Sequence, residues 1–108
     1  MKQYWLYLFS AIVLEVAGTT SMKRSDGLTK LLPSVLIFVF YGLAIVALTF
    51  SLKKIDISVA YAVWSGLGTA LIAVIGIVWF REPATLIRLA SIALIIAGVV
   101  GLNLSGMK

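Results

Sequence analysis

One acidic residue stands within a long apolar run: Glu15, inside residues 3–22. A carboxylate at mid-depth of a hydrocarbon layer costs about 2.5–3.5 kcal/mol on insertion scales and more in simulations, so such a group is rare and usually functional. A proton can neutralise it, and so can a poorly hydrated organic cation. The alternative is a protonated carboxyl acting as hydrogen-bonded glue between helices. On helical spacing Leu8, Ala11 and Ile12 precede Glu15 on its face, and Gly18, Thr19 and Met22 follow it. Gly18 and Thr19 are small enough to let a ligand or another helix come close.

Further along, Tyr61, Trp64, Ser65 and Gly68 recur at i, i+3, i+4 and i+7. Aromatic faces attract organic cations through the ring quadrupole, and the Tyr61 hydroxyl can bond a carboxylate; a packing stripe is the plainer alternative. Tyr41 supplies another aromatic ring with a polar tip. Gly66-x-Gly68 reads as a bend or close helix contact. It is no phosphate loop, because neither a strand nor a Lys-Ser/Thr pair accompanies it. Ser91 and Gly98, seven apart, form a seam suited to helix–helix contact.

Other chemistry is excluded by composition. The chain has no His and no Cys, which removes imidazole catalysis, thiolate nucleophiles, disulfides and the usual transition-metal ligands. No span holds a pair of acids. These features point away from an enzyme and imply no metal and no cofactor.

The elements that position these residues follow from hydropathy. Of 108 residues 62% are hydrophobic and 12% charged, against about 25% charged in soluble domains. Charges this sparse cannot cover a small soluble domain, and mean hydropathy of +1.13 agrees. Crossing a bilayer takes about 20 apolar residues. Four spans are predicted, over residues 3–22, 31–52, 57–80 and 85–106, as one all-α, four-helix membrane domain covering 1–108. Short connectors make neighbouring helices antiparallel. Pro33 suits a helix start, Asp56 and Ser58 are expected to cap the third helix, and Pro83 to open the fourth. Asp26-Gly27 reads as a turn. Tyr4, Trp5 and Tyr7, and Trp79 with Phe80, are placed at membrane interfaces. Lys2 followed by an apolar stretch and Ala17-Gly18 also fits a signal peptide, but Glu15 and the full spanning length favour a retained helix.

The net charge of +5 sits at the ends of apolar runs, beside anionic lipid head groups, and not in a stripe that would bind nucleic acid. With four spans the terminal side carries Lys2, Lys53, Lys54 and Lys108, and the opposite side Lys23, Arg24, Lys30, Arg81 and Arg88. Four against five gives the positive-inside rule almost nothing to act on. Either another feature sets orientation or the chain inserts both ways. Four short helices are also few to enclose a path, so association is expected.

The chain resembles the small multidrug resistance transporters over essentially its whole length. The first helix reads Ala11-x-x-x-Glu15-Val16-x-Gly18-Thr19-Thr20-x-Met22-Lys23, and the first loop Ser25-x-Gly27-x-Thr29-Lys30-x-x-Pro33-Ser34. The third helix contributes Ala60-Tyr61-Ala62-Val63-Trp64-Ser65-Gly66-x-Gly68, and the fourth Leu94-Ile95-x-x-Gly98-Val99. The resemblance implies a proton-coupled antiporter of the bacterial inner membrane, working as an antiparallel homodimer of dual topology. It implies that Glu15 binds proton and substrate in competition. It further implies that Tyr41, Tyr61, Trp64, Thr19, Ser65 and Gly18 contact substrate, that Gly66 and Gly68 form a hinge, and that Ser91 and Gly98 meet the second chain. Gly18 and Ser65 resemble the quaternary-ammonium branch, whose substrates are lipophilic and aromatic cations. A guanidinium exporter, or one subunit of a heterodimeric pair, is the alternative. Ser91 stands where many members have Gly, and Leu32 where an aromatic often precedes the proline.

Overall fold

The computed structural model describes residues 2–105, without the side chains of Asn103 and Ser105; the end of the fourth predicted span at residue 106, and Lys108, lie outside them. Four helices follow one another: α1 Lys2–Arg24, α2 Leu31–Ser51, α3 Ile57–Val78 and α4 Leu86–Ser105. In hydrocarbon every backbone N–H and C=O must be satisfied within the segment, which the helix alone achieves for a single strand of chain. The three helices α1, α2 and α3 are long and apolar enough to cross a membrane, and α4 is apolar over Leu86–Leu102. Several hydroxyls within the spans bond back to their own helix. Thr20 donates to the Val16 carbonyl at 2.8 Å, Ser21 to Ala17 at 2.9 Å, Thr49 to Ile45 at 2.8 Å and Thr69 to Ser65 at 2.6 Å.

The helices form two compact pairs, which divide after Ile55. In the first, the contacts run in opposite senses along the two helices: Tyr7 meets Phe50 with ring centroids 5.5 Å apart, and Gly18 meets Tyr41. The pair is therefore antiparallel. The connector is organised by Ser25, which is buried. Its hydroxyl donates to the Met22 carbonyl at 2.7 Å and accepts the Leu28 N–H at 3.1 Å. Asp26, Gly27 and Leu28 all take positive φ, at 50°, 69° and 69°. The expected Asp26-Gly27 turn is thus a left-handed run of three residues. The aromatic residues near the start of α1 pair among themselves, Tyr4 with Tyr7 and Trp5 with Phe9, and Lys53 sets its ammonium 5.6 Å over the Phe50 ring.

The second pair is antiparallel by the same criterion: Gly66 faces Val99 and Ile95, and Gly76 faces Glu82. Three expectations about its helix ends need correction. Asp56 precedes α3, but its side chain makes no capping bond; its carbonyl accepts the Ala60 N–H at 2.9 Å. Pro83 does not open α4. Arg81 takes φ 58° and the Glu82 N–H donates to the Gly76 carbonyl at 2.9 Å, so the chain is still reversing at Pro83. The helix begins at Leu86, and the Thr85 hydroxyl caps it by accepting the Arg88 N–H at 3.2 Å. The third helix stops at Val78, before the predicted end at residue 80. Trp79 and Phe80 follow with their rings stacked, centroids 5.7 Å apart.

Candidate functional site

Glu15 lies a little past the middle of α1, and Gly18 and Thr19 lie one turn beyond it. Antiparallel packing brings Tyr41 of α2 to that turn. The Thr19 hydroxyl donates to Glu15 Oε1 at 3.2 Å, and the Tyr41 hydroxyl donates to the same oxygen at a long 3.5 Å. The two hydroxyls are themselves 2.5 Å apart. The structure thus joins Glu15, Thr19 and Tyr41 in one hydrogen-bonded group. Its remaining oxygen, Glu15 Oε2, is buried and has no hydrogen-bond partner among the described residues. A buried carboxylate oxygen without a partner is expensive, and a proton or a cation is what would relieve it.

Gly18 is buried on the same face. A Cβ there would lie 2.6 and 2.7 Å from Cδ2 and Cε2 of Tyr41. The flat side of the glycine is therefore the seat of the ring whose hydroxyl reaches Thr19 and Glu15.

The other predicted site residues lie in the α3–α4 pair. Tyr61 and Trp64 meet edge to face, with centroids 5.6 Å apart and planes at 75°. Tyr61 is exposed, whereas the Trp64 Nε1 is buried without a partner among the described residues. Ser65, Gly66 and Gly98 line one mostly apolar groove with Ala62, Ile95 and Val99. Gly66 is pressed against Val99, and a Cβ on it would run into that residue's Cγ2. Gly68 is buried within α3. Ser91 and Gly98 are exposed on α4, and a Cβ on Gly98 would meet no atom within 4 Å.

Sequence reasoning treated Thr19, Tyr41 and Gly18 as separate contacts to a ligand and missed that they are partners of one another. Position 18 lies six residues before the end of α1 and position 41 ten residues after the start of α2, so symmetry about the connector does not pair them and the sequence carries no signal for the contact. Val99 as the neighbour of Gly66, and Glu82 as the neighbour of Gly76, carry none either. No group of three or more acidic residues able to hold a metal occurs among the described residues.

A helical membrane chain with one buried, half-satisfied carboxyl and clustered aromatic residues defines the class, a small multi-pass protein of the cell membrane. Residues 3–95 match the family described as Small Multidrug Resistance protein, and the chain belongs to that family. It is 57% identical over 100 residues to the uncharacterized membrane protein YvaE of Bacillus subtilis (strain 168), covering 93% of this chain and 84% of that one. It is 42% identical over 101 residues to the multidrug resistance protein EbrA of Bacillus licheniformis, covering 94% and 96%. It is 44% identical over 100 residues to the quaternary ammonium compound-resistance protein QacE of Escherichia coli, covering 93% and 91%.

Proposed function

We propose that this protein is a proton-coupled antiporter that exports lipophilic organic cations of the quaternary-ammonium kind. The observation that carries the reading is the buried, unpartnered Glu15 Oε2. Its sister oxygen is held by Thr19 and Tyr41, so the carboxyl is fixed in place while one oxygen stays open to a ligand. Proton and cation then compete for the same group, and competition at one site is what couples their opposite movements. The chain's similarity to the multidrug resistance protein EbrA and the quaternary ammonium compound-resistance protein QacE supports the substrate class. Tyr61 and Trp64 supply an aromatic pair suited to a cation. Gly66 and Gly68 are the proposed flexing point of alternating access.

The working unit is an antiparallel homodimer. Four positive residues against five give no single orientation a strong preference. Gly98, with open space where a side chain would be, and exposed Ser91 offer a close-packing surface to the second chain.

The test is proton release on adding tetraphenylphosphonium to detergent-solubilised protein, with Glu15→Gln alongside. Release from the native chain and none from the variant is expected. Equal release from both, or silence of the native chain toward tetraphenylphosphonium and guanidinium alike, overturns the reading.

A further inference from the structure

We propose that Gly18 sets cation affinity without touching the cation, by seating the Tyr41 ring so that its hydroxyl reaches the Thr19–Glu15 pair. The inference rests on the reading of Glu15 as the shared proton and cation site, and it assigns Gly18 a positioning role there.

The geometry leaves Gly18 little choice. Its missing side chain would occupy the space that Tyr41 Cδ2 and Cε2 now fill, 2.6 and 2.7 Å from an ideal Cβ. The Phe40 Cβ, at 3.5 Å, is an ordinary contact and needs no glycine. Turning the ring about its Cβ–Cζ axis would leave the hydroxyl in place, so the hydroxyl moves only where the ring shifts sideways as a rigid body, which is the response proposed. Ordinary carbon contacts start near 3.5 Å, so a methyl on Gly18 moves the ring by roughly 0.8 Å. The Tyr41 hydroxyl stands 3.5 Å from Glu15 Oε1, at the outer limit of a hydrogen bond, and a shift of that size away breaks it. It also parts Tyr41 from Thr19, the hydroxyl it now meets at 2.5 Å. Hydroxyls that donate toward an ionised carboxylate stabilise the form that takes a cation. Withdrawing them weakens cation binding.

A glycine that merely lines the ligand path would behave otherwise. A methyl there would obstruct the cation whether or not Tyr41 carries a hydroxyl. The Tyr41→Phe background separates the two roles, because it keeps the ring and its clash and removes only the hydroxyl.

The experiment is a cycle of Gly18→Ala, Tyr41→Phe and the double variant in detergent, with two readouts. One is tetraphenylphosphonium affinity. The other is the 13C resonance of the Glu15 side-chain carboxyl, assigned by its loss in Glu15→Gln and measured without ligand. Gly18→Ala is expected to weaken binding roughly tenfold, the scale of a hydrogen bond to a charged group. It is also expected to move the carboxyl resonance in the same direction as Tyr41→Phe. In the Tyr41→Phe background it should change neither readout by more than about twofold in affinity or by a resolvable shift. Equal effects in both backgrounds, or no effect in either, overturn the inference. If Gly18→Ala does not fold, Gly18→Ala with Tyr41→Ala decides: folding restored by the smaller residue supports the seat, and failure there as well overturns it. A native chain that binds no tetraphenylphosphonium sinks the transport reading, and the ligand-free resonance still reports on Gly18 and Tyr41.

Discussion

Gly66 and Val99 pack so closely that α3 has no room for even a methyl group at that point: a Cβ on Gly66 would run into Val99 Cγ2. Val99 is itself buried, with 8% of its surface exposed, and a β-branched side chain has little rotamer freedom in a helix. Gly66→Ala is therefore expected to lower stability by about 1–3 kcal/mol, the usual range for overpacking. Thermal unfolding in detergent measures it. Val99→Ala in the same chain should recover most of the loss. A stability deficit that persists with Val99→Ala would mean that Gly66 is needed for its backbone freedom and not for its size.

Gly76 offers a control with similar crowding and a different outcome. A Cβ there would collide with the Glu82 carboxylate, yet that side chain is 42% exposed and its one ion pair, to Arg88, is 3.5 Å long. Exposed pairs of this kind contribute about 0–1 kcal/mol. Glu82 can swing away at small cost, so Gly76→Ala should cost less than about 1 kcal/mol. A loss as large as that of Gly66→Ala would show that the α3–α4 corner cannot yield.

The start of α4 depends on one hydroxyl. Thr85 accepts the Arg88 N–H, and removing such a cap typically costs about 1 kcal/mol. Thr85→Ala should lower the midpoint of unfolding, while Thr85→Ser should leave it close to native. Equal losses for both would assign the effect to the threonine methyl.

Trp64 is predicted to be a residue whose polar atom gives the ligand-free chain no hydrogen-bond stability. Its Nε1 is buried and unpartnered among the described residues, so Trp64→Phe removes an unsatisfied donor together with part of a ring. The expected change in stability is under about 1.5 kcal/mol. A larger loss, measured by the same unfolding assay in detergent, would reveal a partner for the indole within the folded chain.

Much of this was legible in the sequence, for identifiable reasons. Four apolar runs separated by charges define four helices, because backbone groups in hydrocarbon leave few other choices. Glu15 stood out because it is the sole acid within such a run. Helix ends were harder. Pro83 looked like a first-turn residue, but the Glu82 N–H is claimed by Gly76 and the chain turns through Arg81 before helix resumes. The partners of Glu15 were half legible. Spacing along α1 placed Thr19 on its face, but spacing within one helix says nothing of its neighbour, so the seat of Tyr41 on Gly18 became visible only once the two helices were paired.

Glu15 Oε1 and the Thr19 and Tyr41 hydroxyl oxygens also form a circuit with a sense of direction. A hydroxyl owns one proton, so Thr19 cannot donate to Glu15 and to Tyr41 together. While the carboxylate is ionised it can only accept, and the protons of the chain point toward it. A proton on the open Oε2 would leave Oε1 an acceptor, so the sense of the circuit is kept. The two hydroxyls thereby grip one oxygen of the acid in the same sense whichever form the other oxygen takes.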